Sequence, residues 1–253
     1  MNGRVLALVH GIEERYRRAS LGTLLPALQR RGLQVEIRSA DEHAPLPPPT
    51  EFRMILVMGS HASVYDESLG WVDRERRYVR TAIDAGVSIL GVCFGAQILA
   101  CAVGGSVALS KYPEHGYITV HTTDPDLIAP GPWLGFHHDT ITVPDAGRVV
   151  ARNDAGVQAF TYGPHLGVQF HPEAGPEWLR AWSASLPELE SYLLGYGVDL
   201  ETFEKDIAEN ADTNARDCDL LVERFLARTG AMKHDPRIAD CPGFRQRDRG
   251  AVL

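Results

Sequence analysis

The chain has 253 residues, 44% of them hydrophobic and 23% charged, which suits a globular protein able to bury a core without disulfides or a structural metal. Its 25 basic and 33 acidic residues leave a net charge of −8, and no basic stretch exceeds the cluster Arg74, Arg76, Arg77 and Arg80, interrupted by Glu75, so the footprint of a general nucleic-acid binder is missing. No apolar run approaches the ~18 residues of a membrane span, so neither nucleic acid nor membrane is an expected partner. The start, Met1-Asn2-Gly3-Arg4 followed by Val5 to Val9, is too short for a signal peptide and reads as a buried first strand. Cys93, Cys101, Cys218 and Cys241 form no CxxC pair and no zinc-ligand pattern; they are expected to be reduced thiols of a cytoplasmic protein.

In chain order, Arg4 to His10 predicts a strand, and Ser20 to Arg31 a helix capped by Ser20 and stopped at Gly32. Gln34 to Ser39 alternates as a second strand, and the proline-rich stretch Asp41 to Thr50 is a loop. Met54 to Met58 is a continuous apolar run, as in a strand buried on both faces. A helix over Trp71 to Ala85, a strand over Ser88 to Val92 and an apolar helix over Ala96 to Val103 follow. This alternation predicts an α/β fold: an open, mainly parallel sheet with helices on both faces. Strands are then expected at Gly116 to Thr123, Asp139 to Val143, Val157 to Tyr162 and Leu166 to Phe170, with Tyr162-Gly163-Pro164-His165 as a hairpin connection. Glu177 to Ser183, Pro187 to Leu194 and Leu200 to Arg228 read as helices. The expected organisation is one α/β domain over residues 1–185, a helical extension packed on it over 186–230, and a loosely held tail over 231–253.

Two stretches carry chemistry. In Gly91-Val92-Cys93-Phe94-Gly95-Ala96-Gln97 a buried strand ends, a cysteine sits between two glycines and a helix begins, the thiol counterpart of a nucleophile elbow. A sharp strand-to-helix turn requires neighbours without Cβ, hence Gly91 and Gly95. The helix N-terminus favours thiolate at Cys93, and the Phe94 N–H is positioned to stabilise an oxyanion. In Gly167-Val168-Gln169-Phe170-His171-Pro172-Glu173 an imidazole follows a strand, and a carboxylate two residues on can fix its tautomer. Both stretches lie at carboxyl ends of predicted strands, where open α/β sheets bind ligands.

On these residues the chain resembles the class I, triad-type glutamine amidotransferases, whose flavodoxin-like fold the resemblance implies. Val87 to Gly105 is similar to the family's nucleophile segment and Gly167 to Glu173 to its His-x-Glu segment. The resemblance implies Cys93 as nucleophile, His171 as general base and acid, and Glu173 as the group orienting it. Val57 to Asp66 stands where the family carries a Gly-Gly-Pro loop that supplies the second oxyanion N–H; here Gly59 is followed by Ser60 and His61 in place of Gly and Pro. The implied oxyanion hole is therefore Gly59, Ser60 and Phe94. His61 reads as an exposed loop residue. Gln97 matches a residue lining the family's glutamine pocket, and Phe136-His137-His138-Asp139 resembles a segment near it, which implies His137 and Asp139 as substrate-binding residues. The run His137-His138-Asp139 lacks further ligands at metal spacing, so no metal is expected. Cys101 and the tryptophans Trp71, Trp133, Trp178 and Trp182 read as core or interface.

Ser63 to Glu75, Lys111 to Gly116 and the helical tail most resemble stand-alone relatives of the amidotransferase domain of GMP synthase. No P-loop or other phosphate loop is present, so no cofactor is expected and ATP-driven use of nitrogen would lie elsewhere. The resemblance implies a glutaminase that forms a γ-glutamyl thioester and releases ammonia for a separate synthase. A γ-glutamyl peptide or amide hydrolase with the same triad is the alternative. A non-catalytic binding or regulatory protein is a third reading, against which the intact Cys93, His171 and Glu173 set argues.

Overall fold

The computed structural model describes residues 3–230; the tail expected over 231–253, with Cys241, lies outside the described residues. Strands β1 (Arg4–Val9), β2 (Gln34–Ser39), β3 (Met54–Val57) and β4 (Ser88–Val92) alternate with helices α1 (Leu24–Arg30), α2 (Gly70–Asp84) and α3 (Phe94–Ala102). β1 pairs in parallel with β2 on one side and β3 on the other, and β4 continues beside β3. Every residue of β3 and β4 is buried, the reason β3 reads as an unbroken apolar run. The late strand β10 (His165–Val168) joins the parallel block beside β4. Beyond it β9 (Gly156–Tyr162), β8 (Arg148–Asn153) and β6 (His121–Thr122) extend the sheet with antiparallel pairings, in the order β2-β1-β3-β4-β10-β9-β8-β6. The expected open, mainly parallel sheet is present, and so is the β9–β10 hairpin, with His165 opposite Tyr162.

The structure departs from expectation in three places. Ser20 does not cap α1: it is buried in a preceding 3-10 turn, its Oγ donating to the Arg17 carbonyl at 2.9 Å, and α1 begins only at Leu24. β5 (Ser106–Ile118) and β7 (Trp133–Thr142) form a long antiparallel ribbon where shorter strands were expected. β5 contains Pro113 and Gly116 and no regular alternation of burial, while β7 carries polar residues at buried positions, so neither shows a strand pattern along its whole length. β8 was not expected at all.

One face of the sheet packs against Leu24 and Leu28 of α1 and against Leu221 and Phe225 of α6 (Leu200–Arg228); the other packs against Val79 of α2 and Ile98 and Leu99 of α3. A third cluster joins Trp178 of α4 (Pro176–Ser185), Leu193 of α5 (Leu189–Gly195) and Phe203 of α6 to Leu134 and Phe136 of β7. α6 thus contributes its first turns to one cluster and its last turns to another, and Asp199 caps its start by accepting from the Thr202 N–H at 2.9 Å. No helix among the described residues is long and apolar enough to cross a membrane. At the carboxyl edge of the parallel block, His10, Gly59, Cys93 and His171 follow β1, β3, β4 and β10, and β1 is flanked by β2 and β3 at the point where strand order reverses.

Candidate active site

Cys93 is the one residue other than glycine with positive φ among those described, at φ 52° and ψ −109°. Its neighbours allow this because they lack Cβ. A Cβ on Gly91 would lie 2.3 Å from the Gly95 carbonyl oxygen, and one on Gly95 would lie 2.0 Å from that of Val57. The Cys93 N–H is tied to the Val168 carbonyl at 2.8 Å, and the Ala96 and Gln97 N–H groups donate to the Cys93 carbonyl. Phe94 opens α3, so its N–H precedes the first intrahelical donors and is one of the helix's orphan groups.

His171 is fully buried and is held from three directions. Its N–H donates to the Leu134 carbonyl of β7 at 2.8 Å, its Nδ1 donates to Glu173 Oε1 at 2.7 Å, and its ring lies 5.2 Å from that of Trp178. Nε2 has no aligned hydrogen-bond partner, yet it lies within charge-pair reach of the Cys93 sulfur. Burial opposes a charged ring, but Glu173 and Cys93 outweigh it and raise the His171 pKa to about 10. The sulfur's aligned partners are Gln169 Nε2, donating at 3.6 Å, and the Phe136 carbonyl, accepting at 3.8 Å.

The backbone that carries Glu173 is clamped from outside. Thr23 Oγ1 and Asn214 Nδ2 both donate to the Pro172 carbonyl, at 2.8 and 2.7 Å; Asn214 Nδ2 also donates to the Ala174 carbonyl at 2.7 Å, and the Thr23 N–H to that of Glu173 at 3.1 Å. Gly22 makes the approach possible, since a Cβ there would lie 1.9 Å from the Glu173 carbonyl oxygen.

A cavity of about 260 Å³ opens over the sulfur. Cys93, Ser60, Gln97, His137 and Asp139 all line it, so the residues singled out in the sequence converge. Gly59 lies beneath: a Cβ there would come 3.2 Å from His171 Cε1 and 3.7 Å from Cys93 Cβ. Gln97 is buried rather than surface-facing and donates to Gln169 Oε1 at 3.3 Å. His137 donates from Nε2 to Glu114 Oε2 at 2.8 Å and from Nδ1 to the Asp139 carbonyl at 2.9 Å, while Asp139 Oδ1 accepts from the Tyr65 hydroxyl at 2.9 Å. His61 is exposed, as expected, but at the cavity rim, with its ring 4.3 Å from that of Trp182. Trp182, expected in the core or an interface, is buried in the third cluster and also forms a wall of the cavity.

Contributors left unassigned in the sequence include Gln169, Tyr65, Glu114, Thr23 and Asn214. Gln169 left a trace there, a polar side chain inside an apolar run ending at His171. The others act across the fold, and no local pattern marks them.

An open α/β sheet presenting a buried cysteine at a strand-to-helix elbow, beside a buried histidine and glutamate, defines a thiol-type α/β site. The family model for glutamine amidotransferase class-I matches residues 21–179, and the chain belongs to that family of enzymes, which act on the side-chain amide of glutamine. It is 33% identical over 138 residues to a glutamine-hydrolyzing GMP synthase subunit from Ignicoccus hospitalis, covering 51% of this chain and 71% of that protein. It is 32% identical over 129 residues to the glutamine-hydrolyzing GMP synthase of Gloeothece citriformis, a match spanning 47% of this chain but only 22% of that longer protein. A glutamine amidotransferase structure from Thermotoga maritima superposes with a TM-score of 0.76 at 22% identity, covering 88% of this chain and 97% of that one, a likeness of fold.

Proposed function

We propose that Cys93, His171 and Glu173 act as a catalytic triad that hydrolyses the side-chain amide of glutamine through a γ-glutamyl thioester, with ammonia passing to a separate synthase. The observation that carries this reading is the strained Cys93 elbow, facing a buried imidazole whose far nitrogen is fixed by a buried carboxylate. His171 already carries its proton at neutral pH, beside the Cys93 sulfur, and the sulfur attacks the amide carbon. The developing oxyanion is received by the N–H groups of Phe94 and Ser60. His171 then returns the proton to the leaving nitrogen, the C–N bond breaks, and ammonia departs. Water attacks the thioester as His171, now neutral, takes its proton; glutamate leaves, and the charged ring and the Cys93 sulfur are restored. Glu173 holds the ring in the required tautomer and stabilises its charge.

Gln97, His137 and Asp139 line the substrate side, where the Asp139 carboxylate can receive an α-ammonium group. The cavity of about 260 Å³ over the sulfur is the site proposed for the glutamine side chain. The ammonia-accepting partner is proposed from the relatives that are named as subunits of GMP synthase; the match covers 71% of the Ignicoccus protein. Ammonia release from free glutamine, lost in Cys93→Ala, is the expected result. Glutamate release from γ-glutamyl peptides with none from glutamine moves the chain to the γ-glutamyl hydrolase reading. Failure to form a covalent adduct with a glutamine-analogue electrophile refutes the thioester.

A further inference from the structure

His10 lies just past β1, buried behind the candidate site. Its Nδ1 is 3.0 Å from the Gly59 carbonyl oxygen, and its Nε2 is 2.9 Å from Oε2 of Glu75, a buried carboxylate on α2. Carbonyl and carboxylate oxygens only accept, so both ring nitrogens donate and the ring is held as an imidazolium. Glu75 supplies the compensating charge and, against the cost of burial, raises the pKa of the ring. Trp71 stacks on the ring at 5.3 Å and Phe94 meets it edge-on at 4.9 Å, so its orientation is fixed. Apolar side chains would fill such a volume at less cost than a buried ion pair, so packing alone does not account for it.

The carbonyl that His10 holds belongs to the Gly59–Ser60 peptide. In a trans peptide the C=O and the following N–H point to opposite edges of one rigid plane. Gly59 has no side chain to fix that plane, and the Ser60 hydroxyl is turned to the Ala62 N–H at 3.1 Å. The plane's orientation therefore rests on its carbonyl. We propose that His10 and Glu75 are positioning residues that clamp the Gly59 carbonyl and thereby present the Ser60 N–H to the carbonyl oxygen attacked by Cys93. This rests on the triad reading above and adds to it the support behind one oxyanion donor. The pair acts only in the transition state, so its loss lowers kcat with little effect on KM.

The test compares two chains that differ in one donor. His10→Ala with Glu75→Gln removes the donor to Gly59 without stranding a buried charge. His10→Asn with Glu75→Gln restores a donor near the Nδ1 position. The alanine chain is expected to lose about tenfold or more in glutamine kcat, in line with loss of an oxyanion contact, and the asparagine chain to recover most of it. KM is expected to stay within about threefold. Alkylation of Cys93 by iodoacetamide, which needs the thiolate but no oxyanion hole, is expected to hold within about twofold. Equal kcat in the two chains, or alkylation falling in step with kcat, overturns the inference. If the alanine chain does not fold, the asparagine chain is judged against wild type: a kcat below about a tenth of wild type with an unchanged melting temperature overturns it. A wild-type chain that releases no ammonia from glutamine overturns the triad reading and this inference with it, whereas wild-type turnover that ignores the donor overturns the inference alone.

Discussion

Asn214 sits fully buried on α6, and its Nδ2 donates to the Pro172 and Ala174 carbonyls at 2.7 Å each. Replacing it with alanine removes both bonds. The Pro172 oxygen keeps the Thr23 hydroxyl at 2.8 Å, so its loss is one ordinary hydrogen bond, about 1 kcal/mol. The Ala174 oxygen loses its amide donor in a buried setting, at about 1–3 kcal/mol. Together Asn214→Ala is expected to destabilise the fold by about 2–4 kcal/mol, which for a chain of this size lowers Tm by about 5–15 °C. Equilibrium urea unfolding followed by circular dichroism measures the first quantity. Asn214→Asp sharpens the test. Oδ1 of Asn214 has no hydrogen-bond partner, so the donor pair is what the site uses. The isosteric aspartate sets an oxygen against two carbonyl oxygens and is expected to be less stable than the alanine chain. Glutamine kcat is expected to fall in both, because the clamped backbone carries Glu173. An Asn214→Ala chain within about 0.5 kcal/mol of wild type, or an aspartate chain more stable than it, refutes the clamp.

Glycine normally destabilises relative to alanine by about 0.5–1 kcal/mol, but at the φ of 52° held by Cys93 the order is expected to reverse, so Cys93→Gly should melt no lower than Cys93→Ala, both without turnover. Gly95→Ala, whose Cβ would meet the Val57 oxygen at 2.0 Å, is expected to cost about 3 kcal/mol or more, while Gly70→Ala, with nothing within 4 Å, should stabilise α2 by about 0.5–1 kcal/mol; comparable Tm values for the two chains would contradict the close approach. His171 has a folded pKa of about 10, above its unfolded value near 6.5, so the stability its charged form contributes is complete below about pH 6.5 and is lost as pH rises through about 10. The stability gap between wild type and Glu173→Gln is therefore expected to narrow across that window in urea titrations, and a gap that widens with pH would contradict the charge pair.

The parts of the fold and site that could be read from the sequence are those whose cause is local. β3 shows as an apolar run because both faces are covered, and Gly91, Cys93 and Gly95 show together because one turn imposes all three. His171 and Glu173 are two residues apart and bond directly, so their pairing is legible once the spacing is read together with the Cys93 elbow. The ribbon of β5 and β7 was only partly legible. Its buried positions hold His137 and Asp139, whose polarity is satisfied by Glu114, 23 residues earlier in the chain, and by Tyr65, 74 residues earlier. A polar residue in a strand looks like a loop residue until its distant partner is known.

The same distinction explains how the site is supported. Cys93, His171 and Glu173 are reached from the rest of the molecule largely through backbone carbonyls: His10 on that of Gly59, Thr23 and Asn214 on that of Pro172, and the His171 N–H on that of Leu134. A carbonyl has the same chemistry in every residue, so the residue that accepts carries no sequence mark of being held, and the donor resembles any other buried polar group. Thr23 lies 149 positions from Pro172, and Asn214 lies 42 from it. Placing donors on β1's end, α1's start and the middle of α6 ties the geometry of one thiol and one imidazole to three separated elements. On the triad reading proposed above, small changes in how those elements pack are therefore expected to lower kcat before they raise KM, since they would move the thiol and imidazole more than the cavity walls.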